Sequence, residues 1–166
     1  MEGLSYGNVL VCMNGHVITA QANSDEIPDK FCASCGDKII NKCLECGSYI
    51  KGTPRLPSQI TPPYSYFGNL YVRQSYCTNC GKPHPWTKQS EDAAYELIEI
   101  ANSLNQQEKD DWKETIPVLI KETPKTTVAI VKFRTFAEKA GTEIGKAVKD
   151  IVIDVVSEVV KKAIIK

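Results

Sequence analysis

The stretch FCASCGDKIINKCLECG, residues 31–47, holds two Cys-x-x-Cys pairs separated by seven residues. Whether those four thiols serve one metal ion or two decides how the first half of the chain folds. Outside the stretch lie Cys12, Cys77 and Cys80, and His16 follows Cys12 at the spacing Cys-x-x-x-His. Seven cysteines cannot all pair as disulfides. With His16 they make eight ligands, the number that two tetrahedral zinc sites need. Cys12, His16, Cys32, Cys35, Cys43, Cys46, Cys77 and Cys80 are therefore the candidate ligands of two structural zinc ions per chain.

The four ligand couples can be combined in three ways. Joining them in chain order closes gaps of 15 and 30 residues, whereas joining the inner couples and then the outer closes 7 and 60. Closure entropy grows with the logarithm of loop length, so products of 450 and 420 do not discriminate. The interleaved pairing, with gaps of 26 and 41, is slightly worse. Geometry discriminates better. A single site would force GDKIINK to reverse direction, yet it has no Asn-Gly, Asp-Gly or Pro at its centre, where Ile39 and Ile40 stand. Read as a strand, the segment leaves one metal knuckle and delivers the chain to the next. Gly36, Gly47 and Gly81 each follow a Cys-x-x-Cys, where a knuckle needs a residue free to take positive φ. The expected sites are Cys12/His16/Cys32/Cys35 and Cys43/Cys46/Cys77/Cys80.

Composition changes near residue 88. All cysteines and both histidines precede it, and TPRLPSQITPPYSYFGN reads as loop and hairpin. The expected organisation is a double zinc ribbon over 1–89, a small metal-stabilised β domain, and an all-α domain over 90–166 with three or four helices. Ser90 reads as the N-cap of a helix that places Ala94, Leu97, Ile98, Ala101 and Leu104 on one face. NQQE at 105–108 reads as a capping box opening a helix that carries Trp112. Thr123-Pro124 reads as the next helix start and Gly141 as its stop. A last helix over about 143–165 puts Ile144, Val148, Ile151, Val152, Val155, Val156, Val159 and Val160 on one face. Its β-branched residues make it a poor isolated helix, so other contacts must hold it.

CMNGHVI, KFCASCGDKIINKCLECGSYIKG, YCTNCGKPHPWT, KETPKT and DIVIDVVSE resemble, in that order, an uncharacterised bacterial family known only as a domain of unknown function with paired zinc ribbons. The resemblance spans nearly the whole chain, with CGKPHPWT and ETPKT its most specific parts. The chain departs from it at His84, where the family is expected to carry an aromatic such as Tyr. That departure marks His84 as no ligand. The resemblance implies an architecture and leaves function open.

Function must then be read from chemistry. Catalytic zinc keeps an open position, whereas sites with four protein ligands are closed. The zinc deaminase pattern fails, because Val17-Ile18 follows His16 and Phe31 rather than Pro precedes Cys32. With every cysteine engaged and His84 read as a packing residue, no enzymatic activity is expected. Tyr49, Tyr64, Tyr66, Phe67, Tyr71, Tyr76 and Trp86, interleaved with Lys51, Arg55, Arg73, Lys82 and Lys88, would suit stacked bases and phosphates. Charge weakens that reading: residues 1–89 carry 8 basic and 6 acidic groups, and two zinc–thiolate centres would take the net of +2 to about −1. Residues 90–120 are net −6 and 121–166 net +4. The last helix suits packing or a homodimer better than a membrane surface, since its stripe lacks Trp and Phe. MEGLSYGNVLVCMNG does not read as a signal peptide, and no apolar run reaches the roughly 20 residues of a spanning helix, so a cytoplasmic protein is expected. The reading is of a zinc-binding interaction or adaptor protein with an unidentified protein partner. A nucleic-acid-binding regulator is the alternative, and membrane-surface association the third.

Overall fold

The computed structural model describes residues 6–22, 27–54 and 71–165. It divides into two compact units, Met1–Trp86 and Thr87–Lys166. Most of the segment read as loop and hairpin, residues 53–69, lies outside the described residues, as do Arg55, Tyr64, Tyr66 and Phe67.

The first unit is built on strand β1 (Tyr6–Cys12), whose run of apolar residues is buried on both faces. Alternation along the strand sends Val9 and Val11 to one side, where they join Ala20, Ile40, Ile50 and Trp86. Leu10 and Cys12 go to the other side, with Cys32 and Ile39. Strand β2 (Val17–Ala22) returns antiparallel to β1, pairing Val11 with Val17 and Leu10 with Thr19. The opposite edge of β1 is shared. Strand β3 (Ile39–Ile40) takes its end, pairing Ile40 with Val11 and Ile39 with Cys12, and strand β4 (Lys51–Pro54) takes its start. GDKIINK is therefore extended at its centre, as its composition predicts, and its two isoleucines fill opposite cores.

The second unit is helical. Helix α1 (Pro85–Glu99) begins five residues before the expected cap at Ser90, which lies inside it. Proline suits the first helical position because the N–H it lacks would have no partner there. In helix α2 (Gln106–Lys121) the capping box is formed as read: Asn105 Oδ1 accepts the Glu108 N–H at 2.9 Å, and Glu108 Oε2 accepts the Asn105 N–H at 3.0 Å. Trp112 is fully buried, its ring edge-on to Phe133 with centroids 5.9 Å apart. Helix α3 (Thr126–Lys139) starts two residues after Pro124, because Thr123 first closes a turn, its hydroxyl accepting the Lys125 N–H. Gly141, at φ 91°, follows the end of α3 as expected.

The long final helix is corrected. It is two helices, α4 (Thr142–Ile153) and α5 (Glu158–Ile165), which makes five helices among the described residues. Around Asp154 the bonds tighten to the three-residue spacing, Asp154 N–H to Ile151 O and Val155 N–H to Val152 O. Ser157 then starts α5, its carbonyl accepting the Lys161 N–H and its hydroxyl the Val160 N–H. The break rotates the register. Val148, Val152, Val155, Val160 and Ile164 are buried, while Val159, expected on the apolar face, is 75% exposed.

Candidate metal centres

Three of the four ligand couples sit in the same local structure. Cys32, Cys43 and Cys77 each donate their N–H to the carbonyl five residues on, those of Asp37, Ser48 and Lys82. Each also accepts the N–H of the glycine four residues on, and Gly36, Gly47 and Gly81 have φ of 73°, 71° and 70°. In this tight turn both thiols of a Cys-x-x-Cys point the same way, and a side chain at the glycine would be strained. The Cys12/His16 couple differs: Cys12 ends β1, His16 precedes β2, and Gly15, at φ 85°, makes the turn between them.

The couples combine in chain order. Cys12, His16, Cys32 and Cys35 bring one ligand atom each to within 4.8 Å of one another, and Cys43, Cys46, Cys77 and Cys80 do the same. Pairing of Ile39 with Cys12 sets the first knuckle beside the β1–β2 hairpin, and the chain beyond Ile40 reaches Cys43 in three residues. In a tetrahedral site with metal–sulfur bonds of about 2.3 Å the sulfurs lie about 3.8 Å apart, and a sulfur and an imidazole nitrogen about 3.6 Å. Cys12 to Cys35 is 3.7 Å, Cys43 to Cys80 3.8 Å and Cys46 to Cys77 3.7 Å. His16 Nδ1 lies 3.5, 3.3 and 3.8 Å from the sulfurs of Cys12, Cys35 and Cys32. All seven cysteines are free thiols at metal-site spacing.

Thiols packed this closely cannot all ionise unaided. The Ser34 amide favours the Cys32 thiolate and brings its pKa down to about 6. The Ser48 hydroxyl and amide, helped by Asn79, hold Cys46 at about 6. Burial raises Cys12. At Cys80 the Lys82 amide favours the thiolate, but burial and the thiols of Cys46, Cys77 and Cys43 push it up to about 12. A bound dication would remove this conflict by stabilising every thiolate in the set.

Several supporting residues carry no local sequence signal. Arg73 Nη1 donates to the Gly15 carbonyl at 2.9 Å, and its guanidinium lies 6.0 Å from the Trp86 ring centroid. Trp86 Nε1 in turn donates to the Gln74 carbonyl at 3.0 Å. Ser48 Oγ is 3.1 Å from Cys46 Sγ. His84 joins neither cluster. It is buried, its ring stacked on Trp86 with centroids 4.7 Å apart, and neither ring nitrogen has a hydrogen-bond partner among the described residues. Burial lowers its pKa. Trp86, read as a surface aromatic, is instead in the core at 3% exposure.

No helix among the described residues is long and apolar enough to cross a membrane. Comparison with curated proteins and with solved structures gave no match. A family model described as "Uncharacterized protein conserved in bacteria (DUF2321)" matches residues 5–164. With the match running from the first strand to the last helix, the chain belongs to this bacterial family.

Proposed function

We propose that both clusters hold zinc, that the ions are structural, and that the resulting double ribbon is an interaction module of an adaptor protein. The observation that carries this reading is the closure of both sites: eight ligand atoms fall into two sets of four, with none left over. Four protein ligands leave no open position for water or substrate, which favours a scaffold over a catalyst. The one other histidine, His84, is sealed in the core and is poorly placed as a general base. Native mass spectrometry of the chain recovered under gentle conditions tests the reading. It should show two zinc ions and a bound protein; a Cys43→Ser/Cys77→Ser variant should keep only the zinc of Cys12, His16, Cys32 and Cys35 and lose the bound protein. A zinc-loaded chain recovered without any protein partner would sink the adaptor role.

A second reading, nucleic-acid binding, is favoured by two exposed pairs on the first unit. Lys42 Nζ lies 4.5 Å from the Tyr49 ring centroid and Lys51 Nζ 5.5 Å from that of Tyr6. Against it stand the buried Trp86 and the net charge of about −1 expected for residues 1–89 with two zincs bound. Phosphate-dominated binding must weaken steeply with salt. A mixed RNA and DNA pool that shifts equally at low and high salt, or not at all, would dismiss it.

A further inference from the structure

Between α3, α4 and α5 lies a cleft of about 410 Å3, within the range of small-molecule sites. Arg134 and Glu138 line it from α3, Lys146 and Lys149 from α4, and Ile165 from α5. The helices that form it approach closely at one point: a Cβ on Gly145 would stand 2.0 Å from the Ala137 carbonyl oxygen. That approach fixes the spacing of the cationic residues on the two helices. Lys146 and Lys149, three apart on one helix, share a face, and like charges so placed repel.

Three other lysines of the same unit are paired. Lys113 pairs with Glu99, Lys139 with Glu108 and Lys161 with Glu158. Among the described residues, Arg134, Lys146 and Lys149 make no such pair, although Glu138 lines the same cleft. Three cations against one carboxylate give the cleft a local excess of two positive charges, in a segment, 121–166, that is itself net +4. An arginine fork and two lysines lining one cleft suit the oxygens of a phosphate, which accepts several charge-assisted hydrogen bonds at once.

We propose that this cleft is a binding site for the phosphate group of a small ligand, free or carried on a lipid headgroup. The cleft is lined by residues of the second unit alone, and its binding does not depend on what the metal clusters of the first unit hold. Calorimetric titration of the full chain with inorganic pyrophosphate should give one site per chain, weakened by salt. Arg134→Gln, and separately Lys146→Gln/Lys149→Gln, should each lower the affinity roughly tenfold or more, the size of a lost charge-assisted contact. Lys113→Gln, which removes a lysine paired elsewhere, should leave it unchanged, and circular dichroism of each variant should match the parent. Co-sedimentation with phosphatidylcholine vesicles with and without phosphatidylglycerol separates the sources. Capture by the anionic vesicles alone, displaced by pyrophosphate and lost in the same variants, assigns the headgroup; pyrophosphate binding without capture assigns a soluble ligand. Absence of binding to both probes, or binding that survives the substitutions, overturns the proposal.

Discussion

Arg73 reaches across 58 residues of sequence to donate to the carbonyl of Gly15, the turn residue between Cys12 and His16. Four residues after Arg73 comes Cys77, of the second cluster. One side chain thus ties the hairpin of the first cluster to the segment that delivers the second. Arg73→Gln should cost about 1–2 kcal/mol, from a charged hydrogen bond and a weak cation–π contact. It should also speed loss of one metal to a chelator more than the other. Two unchanged release rates would show that the contact is incidental.

Removing the metals should separate the two units. The first has small cores, each of a few side chains, so the energy of the proposed metal binding would be largely folding energy. The second buries Trp112, Phe133, Ile98, Ile116 and Leu119 without any metal ligand. A strong chelator should therefore abolish amide protection in β1–β4 while the helical circular dichroism persists. Simultaneous loss of both would contradict this division of stability.

Asn105→Ala should lower the stability of the helical unit by about 1 kcal/mol, the usual cost of an N-cap. The substitution leaves the Glu108 N–H without its side-chain acceptor, whereas the Glu108 carboxylate can still accept the backbone N–H of residue 105. Asn105→Ser should recover most of the loss in a denaturant titration; equal loss in both variants would deny the capping role.

His84 gives a pH signature. Its folded pKa is depressed by burial below the ordinary 6.5, so the unfolded chain binds its proton more readily. Stability from this group is present above 6.5 and falls as pH drops from there towards the folded value. Replacing His84 by Phe, which keeps a ring against Trp86, should flatten that part of the profile in zinc-saturated protein. A parallel decline in both proteins would assign the acid sensitivity to the metal ligands instead.

What could be read from the sequence follows the range of each interaction. The Asn105–Glu108 box spans four residues and was visible, as was the extended Ile39-Ile40, which named the pairing of the thiols. The break at Asp154 was hidden because valines and isoleucines continue the helical period straight through it; the weaker signal, Ser157 ahead of Glu158, marks the second start. Arg73 could not be read, since its partners Gly15 and Trp86 are brought to it only by the folded sheet. Trp86 looked like a surface aromatic because nothing local reports that β1, β3 and the segment before β4 converge on it.

The central claim is that two closed sites take their ligands in chain order. Cobalt reports this directly, because charge-transfer intensity rises with the number of thiolates bound. In Cys32→Ser protein refolded with cobalt, the site of Cys43, Cys46, Cys77 and Cys80 should stay loaded and give an intact all-sulfur spectrum. A surviving spectrum of mixed sulfur and imidazole character would mean that Cys32 and Cys35 share their metal with Cys43 and Cys46, and would contradict the account.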